Sequence, residues 1–229
     1  MIEENIAAVR KNINDSMAKR PDSLKDNVLL VGVTKNHDIY AMREAIDTGI
    51  THVGENRVQE AKVKHETLDR DVVWHLIGHL QTNKAKQAVK LFDMIHSIDS
   101  IHLAEAVNSA AAGIDKVQDV LVQVNLAREE SKTGVDIDEL DELLYRVDEL
   151  DNLRLRGLML IAPNYEDVED CRPLFRKMRE IFEKVKEMPL KTANIEYLSM
   201  GMTHDYKIAI EEGANIVRVG TAIFGQRQY

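Results

Sequence analysis

Apolar residues recur along this chain with two alternating spacings. In residues 2–18 they fall at Ile2, Ile6, Val9, Ile13 and Met17, three or four apart, which predicts an amphipathic helix. Residues 21–26 are a turn-rich break, followed by the unbroken apolar run 28–33. The theme then repeats. Val53 leads into Gly54-Glu55-Asn56, and a helical stretch runs to about residue 68. Further short apolar runs lie at 72–78, 94–98, 120–124, 153–161, 195–199 and 216–219. Helical patterns separate them, starting near Thr82, after Ser100 as N-cap and running to Ala112, over 138–150 with Asp138 as cap, over 166–187, and over 203–212.

Short apolar strands alternating with amphipathic helices predict a parallel sheet with both faces covered. Eight such strands predict an α/β fold, a single (β/α)8 TIM-type barrel occupying residues 1–229 as one domain, with an extra N-terminal helix. The helix after the eighth strand is nearly missing, because only 221–229 follow it, and the N-terminal helix can cover that gap. An open doubly wound sheet is the alternative, but no Gly-x-Gly-x-x-Gly turn follows the first strand.

Charge changes the picture only modestly. The 229 residues carry a formal net charge of -9, which argues against nucleic acid and anionic membranes as partners. It does not argue against a local phosphate site built from backbone N–H groups. Cys171 is the only cysteine, so no internal disulfide forms; it reads as a small apolar residue of the 166–187 helix. No basic-then-apolar leader and no run of about 20 apolar residues is visible, so the expected location is the cytoplasm.

In a barrel the chemistry sits at the C-terminal ends of the strands. Lys35 follows the first strand, Asn56 the second, His79 the third and Asn125 the fifth. Ser199 and Gly201 end the seventh, and Arg218 and Gly220 lie on or after the eighth. A lysine at a barrel mouth is partly desolvated, which frees its amine to attack an aldehyde. The small residues around Gly201 and Gly220 let backbone approach a phosphate, with Ser199, Thr203 and Thr221 adding hydroxyls. Salt bridging to a neighbouring strand is the plain alternative for Arg218. His75 and His79, four apart on a strand and its exit, lack the further ligands of a metal site; His75 reads as a hydrogen-bonded core histidine.

Five segments then resemble one family: Val33-Thr34-Lys35, the stretch 52–60 around Gly54-Glu55-Asn56, Trp74-His75-Leu76-Ile77-Gly78-His79 with its continuation to Lys84, Leu198-Ser199-Met200-Gly201-Met202-Thr203, and the stretch 217–225 around Arg218-Val219-Gly220-Thr221. The chain is similar to the pyridoxal phosphate homeostasis proteins, also described as the YggS or proline-synthase-co-transcribed family. The resemblance implies a barrel like the N-terminal domain of alanine racemase. It implies pyridoxal 5′-phosphate (PLP) held as an aldimine on Lys35, with Ser199, Gly201, Thr203, Gly220 and Thr221 around the phosphate. Arg218 would then lie near the pyridine nitrogen, and Asn56 would face the cofactor; His79, placed at the mouth by its position after the third strand, is a further candidate cofactor contact. Two stretches depart from the family's usual pattern: Ala127-Arg128 and Asn36-His37.

The function this implies is non-catalytic: buffering or carrying PLP in its homeostasis, as a monomer, with PLP-dependent apo-enzymes as candidate recipients. An amino-acid racemase is the alternative. It needs an acid/base group on each face of the substrate carbon, and only Lys35 is evident. Regulatory docking onto PLP enzymes is a third reading.

Overall fold

In the computed structural model, which describes residues 1–24, 26–127 and 133–226, eight parallel strands close into a barrel in sequence order. The strands are β1 (Leu29–Val33), β2 (His52–Glu55), β3 (Val73–Leu76), β4 (Met94–Ile98), β5 (Gln118–Val124), β6 (Leu153–Leu160), β7 (Tyr197–Met200) and β8 (Ile216–Val219). Strand β1 pairs with β8, Val31 lying opposite Arg218, and this pairing closes the ring. The eight predicted strands all occur, with ends shifted by at most two residues.

The helices are α1 (Ile2–Met17), α2 (Ile39–Asp47), α3 (Val58–Thr67), α4 (Ala85–Leu91), α5 (Ile101–Ala112), α6 (Leu140–Asp148), α7 (Arg172–Glu187), α8 (Tyr206–Glu211) and the single turn α9 (Thr221–Phe224). Helix α1 packs against α2, α8 and α9, so it covers the side of the barrel where α9 is too short. Its buried face is Ile6, Val9 and Ile13, and Asn5 and Asn12 fasten it to the Ile223 carbonyl (2.9 Å) and the Tyr206 hydroxyl (3.0 Å). Arg20, just beyond α1, donates to the carbonyls of Ile210 (2.7 Å) and Ala214, tying that end to α8 and the start of β8.

Helix boundaries differ from expectation where turns compete with the first helical turn. Ser100 caps α5 as its sequence position predicts, accepting from the Leu103 N–H at 3.1 Å. Asp138 does not cap α6: a 3-10 turn over Ile137–Glu139 comes first, and Asp138 lies inside it. The acidic run from Asp136 to Glu139 favours tight N-terminal turns, and the chain enters the helix only at Leu140. The 203–212 helix starts later, at Tyr206, because Asp205 Oδ1 accepts from the Met202 N–H (2.7 Å) and folds 202–205 into a turn. Helix α2 has no counterpart in the sequence reading, although Asp38 caps it through the Ala41 N–H at 2.8 Å. Within the described residues no helix is long and apolar enough to cross a membrane.

Two apolar layers result. The larger lies between sheet and helices, and includes Cys171, the small buried residue its sequence position implies. The smaller joins Val31, Met94, Leu121, Met159 and Ile216, one each from β1, β4, β5, β6 and β8. Residues from five strands meet only inside the barrel, so this cluster is its interior plug. The β5–β6 register slips beside Val120 and Leu121, and opposite the slip Gly157 takes φ 151. A Cβ there would stand 1.8 Å from the Tyr197 carbonyl oxygen. Gly157→Ala is therefore expected to cost more than ~2 kcal/mol, read as a lower urea midpoint at unchanged slope. A loss within ~0.5 kcal/mol would mean that β6 and β7 separate readily here.

Candidate functional site

The C-terminal mouth of the barrel holds a cavity of about 280 Å³, close to the lower end of the ~300–1,000 Å³ range of small-molecule sites. From the exits of β1, β2 and β3 come Val33, Lys35, His37, Asn56 and Ile77. From the exits of β6, β7 and β8 come Ile161, Met202, Thr203, His204, Gly220 and Thr221, with Arg218 from β8 itself. Six of the nine expected binding residues thus share one cavity: Lys35, Asn56, Thr203, Arg218, Gly220 and Thr221. Ser199 and Gly201 stand behind its wall, both buried. His79 is exposed, just past β3, and Asn125 is half-buried after β5. Arg128 of the Ala127-Arg128 departure lies outside the described residues. Five lining residues carry no signal that sequence reasoning used as a ligand contact: Val33, Ile77, Ile161, Met202 and His204. His37, noted only as a departure, stacks on Phe224 with ring centroids 4.8 Å apart.

Lys35 is presented by a clamped backbone. Thr34 before it is fully buried, and its hydroxyl donates to Glu55 Oε1. The buried Lys64 ammonium reaches the Thr34 carbonyl (2.6 Å), Glu55 Oε1 (2.7 Å) and Glu60 Oε1 (2.8 Å). Glu60 Oε1 also accepts from the N–H of Asn36 at 2.6 Å, and Asn36 has φ 61. Both neighbours of Lys35 are therefore fixed by one buried ion cluster from β2 and α3. Burial pushes the Glu55 carboxyl up even with Lys64 beside it.

Arg218 is the buried cation of the site. NH1 donates to Ser199 Oγ at 2.6 Å and NH2 to the Leu160 carbonyl at 3.0 Å. Among the described residues no carboxylate lies within salt-bridge distance, so the plain alternative of a strand-to-strand ion pair does not occur. Desolvation lowers its pKa to about 10, with Asp205 acting in the opposite sense. It stays charged at neutral pH. Two of its five N–H donors have acceptors among the described residues, and the guanidinium borders the cavity. The glycines beside it are required by shape. Gly201 has φ 97, and a Cβ on it would stand 2.6 Å from the Ala209 Cβ; its carbonyl accepts the Arg218 N–H at 3.0 Å. A Cβ on Gly220 would crowd the Val33 carbonyl oxygen at 3.3 Å.

The comparisons with known proteins agree on one family. The family model described as "Alanine racemase, N-terminal domain" matches residues 5–228. The pyridoxal phosphate homeostasis protein of Aquifex aeolicus is 45% identical over 201 residues, 87% of each chain. That of Escherichia coli is 40% identical over 100% of this chain and 97% of its own length. The chain belongs to the pyridoxal phosphate homeostasis protein family. Among solved structures, PipY of Synechococcus elongatus, a family relative, superposes with TM-score 0.87 at 38% identity when solved without PLP, covering 98% of this chain and all of PipY. The PLP-bound form of PipY gives 0.85 at 37%. Alanine racemase of Clostridium difficile, at 14% identity and TM-score 0.73, shares the fold alone.

Below the cavity, family member and sequence reading part in one respect: the interior polar chain is longer than His75 alone implied. His52 Nδ1 lies 2.8 Å from His75 Nε2, His75 Nδ1 lies 2.8 Å from His96 Nε2, and His96 Nδ1 lies 3.0 Å from Ser199 Oγ. Burial is the main cause that drops the His75 pKa to about 3 and His96 well below the ordinary value. Above pH 6.5 these rings are neutral both folded and unfolded. Below it only the unfolded chain takes up protons, so stability falls as pH drops from about 6.5 towards 3. Each ring contributes ~1.4 kcal/mol per pH unit. Glu55 and Asp205 act with the opposite sign, because burial raises their pKa values and so favours the folded state as pH falls, and they offset part of the effect. Urea denaturation between pH 6.5 and 5 is expected to show stability falling as pH drops, the two rings together giving at most ~2.8 kcal/mol per unit before the carboxyls offset part of it. Constant stability across that window would mean that the rings protonate in place.

Proposed function

We propose that this chain binds PLP at the mouth of the barrel, attached covalently through a Schiff base on Lys35, and serves as a non-catalytic carrier or buffer of the cofactor. One observation carries the reading: Lys35, on a clamped turn, and the buried Arg218 border the same cavity at the strand ends. The family's name and the PLP-bound PipY relative support it.

The donor set fits such a group. Gly220, Thr203 and Thr221 at the adjoining exits of β7 and β8 offer close backbone approach and hydroxyls to a phosphate. Ser199 and Gly201 support that wall from behind, Asn56 faces the cofactor across the mouth, and His79 stands at the rim. When bound, PLP supplies an aldehyde carbon that amines add to reversibly and an electron-withdrawing ring. Arg218, a cation that can only donate, disfavours a proton on the pyridine nitrogen and so weakens that withdrawal.

The cavity lining supports carriage over racemisation by a lysine–tyrosine pair. Among the described residues no tyrosine lines the cavity. Tyr197 lies under the Arg156 guanidinium, and Tyr206 accepts from Asn12 beneath α1. In this reading residues 1–229 act as one barrel, as a monomer, and the open mouth lets recipient apo-enzymes take the cofactor by amine exchange.

The test is borohydride trapping of the PLP-loaded protein, followed by peptide mass analysis. The expected result is a visible band bleached by borohydride and a reduced adduct on the peptide bearing Lys35, lost in Lys35→Ala. A reduced adduct on another lysine, or one unchanged in Lys35→Ala, overturns the assignment. Steady racemisation of an amino acid by the loaded protein would overturn the carrier role while leaving the site intact.

A further inference from the structure

We propose that Ser199, His96, His75 and His52 are positioning residues for Arg218: a hydrogen-bond chain in which every proton is donated away from the guanidinium, across the barrel interior to its base. The inference rests on the reading of Arg218 as the cation that faces the bound cofactor.

The direction follows from counting protons. Arginine only donates, so Ser199 Oγ accepts from Arg218 at 2.6 Å. Ser199 is fully buried, and its one hydroxyl proton has a single acceptor within reach among the described residues, His96 Nδ1 at 3.0 Å. With Nδ1 accepting, the neutral His96 ring carries its proton on Nε2. That N–H faces His75 Nδ1 at 2.8 Å, which places the His75 proton on Nε2 as well. The same step at 2.8 Å reaches His52 Nδ1. His52, at the start of β2, is only half-buried, so its own Nε2–H ends the chain near solvent. The opposite polarity would leave the Ser199 hydroxyl proton without an acceptor in the interior.

The chain takes one residue from each of β8, β7, β4, β3 and β2, so ring closure itself holds it in line. Three neutral imidazoles aligned in one sense spread the charge of a cation that has no carboxylate in contact among the described residues. Ser199, held in turn by His96, fixes NH1, while the Leu160 carbonyl holds NH2, and this sets the orientation of the guanidinium where it borders the cavity.

Long-range 15N–1H correlation spectra of cofactor-free protein labelled in histidine decide the polarity. Signals of His52, His75 and His96 would be assigned from single-site glutamine variants. The expected result is three neutral rings, all protonated on Nε2. An Nδ1 proton on His75 or His96 overturns the chain, whether or not PLP binds. Positioning is then read on the PLP-loaded protein. Ser199→Ala and His96→Phe are expected to shift the absorption maximum of the bound cofactor and to weaken its binding about tenfold, with His96→Gln, whose amide both accepts and donates, restoring most of both. An unchanged spectrum and affinity in Ser199→Ala, where the unaltered protein binds PLP, overturns the positioning role. Failure of the unaltered protein to bind PLP sinks the reading of the cavity instead, and the tautomer result still decides the chain.

Discussion

The structure is organised around a positive charge shut inside a barrel. A guanidinium buried among strands must find acceptors or be expelled. Arg218 finds a serine on β7 and a carbonyl at the end of β6, with the field of Asp205 behind it. These partners occupy one side of the group. Arg218 also borders the cavity, where in the proposed reading an acceptor on the bound cofactor would complete the shell. Burial then makes it a selective element of that reading, because it holds its charge and cannot relax into water.

The second ion cluster does for Lys35 what the strands do for Arg218. Lys64, Glu55 and Glu60 are costly to bury, and such clusters contribute more to defining a conformation than to net stability. Here the conformation is the turn 34–36, held on both sides of Lys35. In the proposed reading Lys35 is the attachment point, and this arrangement fixes the backbone that presents it. Among the described residues Glu55 Oε2 is buried without a hydrogen-bond partner.

Much of this was legible in the sequence because it follows from periodicity and from barrel geometry. Apolar runs such as 94–98 and 216–219 became strands with those bounds, and Ser100 became a cap. Residues placed at strand exits, Lys35, Asn56 and Arg218 among them, converged because every exit in a closed parallel barrel faces the same end. What escaped depended on contacts between distant segments. The three linked histidines come from three strands, and nothing near His52 or His96 marks either as interior and polar. The Lys64 cluster looks in sequence like an ordinary charged helix face. Asp138 is not the cap of α6 because it falls inside the 3-10 turn Ile137–Glu139 that precedes the helix, a turn that periodicity alone does not mark. Ser199 and Gly201, expected at the phosphate from their strand-end position and from the family resemblance, do not line the cavity; both bond to Arg218, a contact between strands that no local pattern marks.

The most direct measurement is a crystal structure of the protein soaked with PLP. PLP bound through Lys35 predicts continuous density from Lys35 Nζ to the cofactor, the phosphate between Thr203 and Thr221, and the pyridine nitrogen opposite Arg218. Cofactor density away from Lys35, or a ring turned so that its phosphate meets Arg218, would contradict it.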